Sequence, residues 1–153
     1  MSTALDPRAR LRLWLRLLAS TTVMERAVRR RLRAEFAVSL PRFDVLAALE
    51  RAPEGLAMGE LSRRLMVSNG NATVLVSGLE SDGMVRRTVS PEDRRSVTVT
   101  LTDLGRTAFS GMAEAHAGWV DELLGGLGDD EVEQLSELLH RARVLVEERE
   151  AAG

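Results

Sequence analysis

The sequence predicts a mainly α-helical chain interrupted once, past its midpoint, by a small β-hairpin. Three observations predict this. Apolar residues recur at helical spacing along most of the 153 residues. The period shortens to two only over two short runs, Met84 to Val89 and Ser96 to Leu101, where Val97, Val99 and Leu101 alternate with Ser96, Thr98 and Thr100. Turn and stop signals separate the periodic stretches at Pro53-Glu54-Gly55, Gly83 and Gly125-Gly126.

The first helix opens at Asp6-Pro7, a capping carboxylate followed by a residue suited to the first helical position, and runs to about Phe36. Its stripe is Leu11, Trp14, Leu15, Leu18 and Thr22, continued by Met24, Val28 and Leu32. Ser39-Leu40-Pro41 opens a second helix carrying Phe43, Leu46, Ala47 and Leu49, which ends at Pro53-Glu54-Gly55. A third helix spans roughly 58–66, with Leu61 and Leu65 inward. Val67-Ser68-Asn69 breaks the chain briefly, Ser68 being the cap of a fourth helix over about 69–82. Ala72, Leu75, Val76 and Leu79 form its inner face, and Gly83 stops it. The hairpin follows, with the charged loop Ser90-Pro91-Glu92-Asp93-Arg94-Arg95 at its tip. Thr102 or Asp103 caps a fifth helix ending at Gly125-Gly126. Asp129-Asp130-Glu131 opens a sixth, placing acids at the positive end of the helix dipole. Its stripe is Val132, Leu135, Leu138, Leu139, Ala142, Leu145 and Val146.

Helix, short turn, helix, hairpin is the order of a winged helix-turn-helix. One short helix braces a second, whose polar face enters the major groove, where base edges present a donor and acceptor pattern. The outward residues Ser68, Asn69, Asn71, Thr73 and Ser77 suit that task, since Asn can bond adenine edges and Ser or Thr can serve bases or phosphates. Arg63 and Arg64 on the bracing helix, Arg86 and Arg87 after the fourth helix, and Arg94 and Arg95 on the wing are candidates for backbone contact. The run Arg26, Arg29, Arg30, Arg31, Arg33 reads as a solvated face, with phosphate contact as the alternative.

Charge is unevenly placed. Residues 1–106 hold 18 Arg against 12 Asp and Glu, whereas residues 107–153 hold 3 against 11. A polarised chain of this kind can turn a basic region to an anionic partner. All 21 basic residues are Arg, which reads as coding bias. The absence of Cys excludes a disulfide framework, Cys-ligated zinc and thiol catalysis, and any effector response is expected not to be thiol oxidation. No apolar run approaches a membrane span, and Arg8, Arg10, Arg12 and Arg16 break any signal-peptide core, so the expected location is cytoplasmic. No GxSxG, HExxH, GxGxxG or Walker loop is present, and the expectation is a non-enzyme with no cofactor. His116 and His140 are the only histidines, and Glu114 does not share a helix face with His116, so no metal site is expected.

The stretch from Phe43 to Gly105 resembles the MarR family of bacterial transcription regulators. The matching elements are Phe43-Asp44-Val45-Leu46, Glu60-Leu61-Ser62, Val67-Ser68, Leu79-Glu80 with Asp82-Gly83, Asp93-Arg94-Arg95, and Leu101-Thr102 with Gly105. The flanking helices match the family's layout as well. The resemblance implies one domain over residues 1–153, with dimerisation helices at 6–36 and 103–150 and a DNA-binding lobe at 39–102. It implies a homodimer on pseudo-palindromic double-stranded DNA, acting as a repressor and released by a small anionic, often aromatic, ligand. It also implies that Asp93 orients Arg95. Leu11, Leu15, Leu135, Leu138, Leu139 and Ala142 are expected between the two chains. Trp14 and Trp119 are expected as interface core or as the lining of a ligand pocket with His116, where Arg16 and Arg42 would neutralise a carboxylate. The sequence departs from the family at Ala57, where a capping Thr is usual, and at Val74 and Gly78, where Arg is common. A dimeric interaction or small-molecule-binding module with little DNA affinity is therefore the alternative.

Overall fold

The structure, a computed structural model, describes residues 6–153. Its elements are α1 (Ala9–Phe36), α2 (Leu40–Glu50), β1 (Leu56–Ala57), α3 (Met58–Leu65), α4 (Asn69–Ser81), β2 (Val85–Val89), β3 (Val97–Leu101), α5 (Asp103–Leu124) and α6 (Asp129–Ala151). The fold class is the expected one, mainly α with a small antiparallel sheet. The chain divides into two compact units, one running through Gly118 and one comprising Trp119–Gly153. The boundary falls within α5.

In the first unit the core is built by α1 through the first half of α5. Val28 and Leu32 of α1, Phe43, Val45, Leu46 and Leu49 of α2, Leu61 of α3, Ala72, Val76 and Leu79 of α4, Val99 of β3 and Phe109 of α5 are all buried. The first helix starts later than expected: Pro7 stays outside it and Arg8 is the N-cap, with no side-chain cap bond. The Asp6 carboxylate accepts the Arg8 N–H at 2.9 Å, and regular helix begins at Ala9. That backbone N–H and the Arg12 guanidinium hold the Asp6 carboxyl below its ordinary range.

The sheet has one strand more than the hairpin expected from sequence. β1 pairs antiparallel with β3, placing Leu56 opposite Val99 and Ala57 opposite Thr98, and the strand order is β1-β3-β2. Two residues are too few to show a period, which is why this strand escapes pattern reading. Gly55 leads into it with φ +89°, and a Cβ there would collide with the Thr98 and Thr100 side chains and the Val99 carbonyl. Its role is therefore close packing on β3. Ala57 leaves the start of α3 without a side-chain cap, as its methyl requires.

The junction of wing and α5 explains the Leu-Thr…Gly spacing. Gly83 at φ +74° closes α4, its N–H bonding the Glu80 carbonyl while the Met84 N–H bonds that of Leu79. The Thr102 hydroxyl donates to the Gly83 carbonyl and accepts the Gly105 N–H at 3.0 Å, so Thr102, not Asp103, is the cap of α5. A Cβ at Gly105 would overlap the Met84 carbonyl, which leaves glycine as the residue that fits.

In the second unit, α6 begins where the Glu131 carboxylate accepts the Gly128 N–H at 2.9 Å. None of its residues is buried. Val132, Leu135, Leu138, Leu139, Leu145 and Val146 stand in solvent in the single chain. No helix among the described residues is long and apolar enough to cross a membrane.

Candidate nucleic-acid interface

The turn between α3 and α4 fixes the angle at which α4 is presented. Met66 ends α3 in the left-handed region, φ 56°, and the Val67 N–H bonds the Ser62 carbonyl. Ser68 then caps α4, its hydroxyl accepting the Asn71 N–H at 3.2 Å. Ser62 is buried, with its hydroxyl 2.9 Å from the Gly59 carbonyl and 2.6 Å from Asn69 Oδ1. A hydroxyl has one hydrogen, so both contacts are satisfied when Ser62 donates to Gly59 and the Asn69 amide turns over to donate in its place. Either way Asn69 is committed to α3 as a brace, and base reading by it would compete with that bond.

The remaining outward residues of α4 differ in their freedom. Asn71 is exposed, and its side-chain amide has no partner among the described residues. Thr73 donates its hydroxyl back to the Asn69 carbonyl at 2.8 Å and keeps only acceptor capacity outward. Ser77 is half-buried. Val74 is 71% exposed in the middle of this face.

The arginines sort into free and engaged. Arg63, Arg86, Arg94 and Arg95 are exposed without an ion-pair partner among the described residues. Arg64 pairs with Glu60 one turn earlier at 2.8 Å. Arg87 is held more firmly. Its guanidinium reaches Glu80 Oε1 at 2.8 and 3.2 Å, and its backbone N–H reaches Oε2 at 3.1 Å. These bonds hold the Glu80 carboxyl below its ordinary range and tie β2 to α4. A phosphate contact by Arg87 would have to displace Glu80.

At the wing, the Asp93 carboxylate accepts the Arg95 backbone N–H at 3.0 Å, and the Asp93 carbonyl accepts the Ser96 N–H. The Asp93 carboxylate thus shapes the turn at the Arg95 backbone and makes no contact with the guanidinium.

The residues grouped as a ligand pocket are placed as follows. Trp14 and Arg16 are exposed on α1, and Trp119, in the second unit, is 8% exposed. His116 lies against Phe43, ring centroids 4.8 Å apart, and burial pushes its imidazole below the ordinary pKa. Arg42 already pairs with Asp82 at 3.0 Å, so a carboxylate ligand there would have to share or displace that partner. Its guanidinium also fills the space that a side chain at Gly78 would take. Neither contact has a sequence signal, because the partners are joined only through the α2–α4 packing. Leu11 and Leu15 are exposed on α1, as are Leu135, Leu138, Leu139 and Ala142 on α6. No cluster of potential metal ligands occurs among the described residues.

Against known proteins, residues 38–96 match the family described as MarR family. BadR, a transcriptional activatory protein of Rhodopseudomonas palustris, is 33% identical over 135 residues, 84% of this chain and 73% of that protein. A MarR family transcriptional regulator from Silicibacter pomeroyi superposes with a TM-score of 0.78 at 35% identity, covering 96% of this chain and 99% of that one. The chain belongs to the MarR family. It also spans 66% of the length of the PecS regulator of Dickeya dadantii, at 32% identity. A mutant E. coli MarR complexed with operator DNA superposes with a TM-score of 0.76 at 27% identity, covering 90% of this chain and 98% of that one. These relatives are named as regulators of transcription and not as enzymes.

Proposed function

We propose that the chain is a homodimeric, DNA-binding repressor. The observation that carries this is an outward helix, α4, braced by α3 through Ser62 and Asn69, beside four unpaired arginines at Arg63, Arg86, Arg94 and Arg95. α4 enters the major groove, and the wing arginines lie along the backbone or in the adjacent minor groove. The apolar stripes of residues 6–36 and 103–150 join two copies, which sets two half-sites about one helical turn apart. The operator complex of the E. coli relative supports this docking. A small-molecule effector acts by favouring a separation of the two α4 helices that does not fit DNA. With no thiol in the sequence, its trigger is binding, not cysteine oxidation.

The test is fluorescence anisotropy of the purified protein on duplexes from upstream of its own gene and on scrambled duplexes. Tighter binding to one upstream duplex by about 10³-fold or more is expected of a specific site. Equal weak binding to both would favour the interaction-module alternative.

A further inference from the structure

Between Asn69 and Ser81, α4 carries no lysine or arginine. Two cations pack against its late turns, and both are engaged: Arg87 by Glu80 at 2.8 Å, and Arg42 of α2, which occupies the empty side-chain position of Gly78 and is held by Asp82 at 3.0 Å. The bidentate arginine contact that reads guanine in a major groove is therefore not available from α4 itself.

What α4 does present is apolar at its most outward point. Ala72, Val76 and Leu79 define the buried side. At about 100° per residue, the line opposite them runs through Gly70, Val74 and Ser81, with Ser77 and Gly78 flanking it on either side. Gly70 has no side chain, so Val74 is the most prominent group on that line in the first half of the helix. It is 71% exposed, and its side chain has no polar atom. It does nothing for the fold that alanine would not do better, because a β-branched residue loses rotamer freedom in a helix and this one buries little area.

In a major groove, the one apolar feature on a base edge is the C5-methyl of thymine. We infer that Val74 reads a thymine methyl, so that each half-site places a T·A pair beneath the middle of α4. Asn71, with its amide free on the same outward side, serves an adjacent adenine. The inference rests on the DNA-binding reading and adds to it the base chemistry of the operator.

The experiment uses the full-length protein and a synthetic library of random duplexes, which contains no methylated cytosine. Enriched duplexes are remade with uracil replacing each thymine in turn, which removes one methyl group and nothing else. Anisotropy is measured at one salt concentration with the native protein and with Val74→Ala. At one thymine per half-site, uracil should weaken native binding about fourfold, the worth of one buried methyl converted to an affinity ratio. The Val74→Ala variant should bind thymine and uracil duplexes within about twofold at that position, so that the two losses do not add. Its helix content should match the native protein and its melting temperature should equal or slightly exceed it, as the better helix propensity of alanine at an exposed site requires. Equal native binding to thymine and uracil at every position, or undiminished uracil sensitivity in Val74→Ala, overturns the inference while leaving DNA binding intact. Failure to enrich any duplex overturns the DNA-binding reading, and this inference with it.

Discussion

α4 and α6 are both amphipathic helices, and the chain treats them oppositely. α4 buries Ala72, Val76 and Leu79 within the first unit, whereas α6 buries nothing and leaves six large apolar side chains in solvent. An apolar stripe in a sequence states that a face must be covered, not which chain covers it. α4 owes its position to its own chain. The stripe of α6 exceeds what isolated exposed leucines would form, and it fits a contact with a second copy.

The largest expected effect follows from that difference. Leu135→Glu combined with Leu138→Glu should convert the dimer to a monomer or an unfolded chain, because two carboxylates would be buried without partners. Sedimentation would read the loss of dimer, and operator affinity should fall by about 100-fold or more, because a monomer engages one half-site instead of two linked ones. Leu79→Ala in α4 should instead cost about 2–5 kcal/mol in urea melts and leave a dimer. A double-glutamate variant that stays dimeric and equally stable would show that α6 is a solvated helix and would end the contrast.

A second pair contrasts two glycines of α5. Gly105→Ala drives a methyl into the Met84 carbonyl and should cost about 1–3 kcal/mol. Gly111 has nothing within 4 Å, so Gly111→Ala should stabilise by about 0.5–1 kcal/mol through helix propensity. Thermal melts of both variants are the check, and equal effects would remove the close approach as the reason for Gly105.

Much of this architecture is legible in the sequence. The helices announce themselves because their stripes run for several turns, and the cap at Ser68 because a serine stands just before such a stripe, whereas at α5 the sequence leaves Thr102 and Asp103 as alternatives. What stays hidden depends on contacts with no period. β1 is two residues long. Glu80 and Arg87 meet across the turn at Gly83, where neither helical nor strand spacing applies. Arg42 and Asp82 are 40 positions apart. The sequence names Arg42, Arg64, Arg87 and Asn69 as available groups, yet each already has a partner, and availability is a property of packing.

The third contrast is between free and engaged arginines. Arg94→Ala and Arg95→Ala should each reduce the log–log salt slope of DNA binding by about 0.9 for every phosphate left without its arginine, on operator and scrambled duplexes alike. Arg87→Ala should change the slope less and lower stability only slightly, as for a solvated surface ion pair. Asn71→Ala should cost about 1–3 kcal/mol on operator and little on scrambled DNA. Equal slopes for Arg87 and Arg95 variants would mean that DNA strips Arg87 from Glu80.

The smallest effect sets two titrating groups of the first unit, Asp44 of α2 and His116 of α5, against each other. Burial, reinforced by Glu25, raises the Asp44 carboxyl above its ordinary 3.8, and burial lowers His116 below its ordinary 6.5. Both shifts disfavour charge, yet their pH dependences run in opposite directions. Asp44 destabilises the fold wherever it is ionised, so its penalty is complete above its raised value and is relieved as pH falls toward 3.8. His116 carries no penalty above 6.5, and stability is lost as pH falls from there through its lowered folded value. Asp44→Asn should therefore raise the urea midpoint at pH 7, with the gain shrinking in acid. His116→Phe, which keeps a ring against Phe43, should leave the midpoint near its native value at pH 8 and remove the acid-side decline. Both groups are partly hydrated, so each change should be a few tenths of a molar in midpoint at most, about 0.5 kcal/mol at ordinary urea slopes. Parallel pH profiles for native and His116→Phe would show that the imidazole charges as freely in the fold as in the open chain.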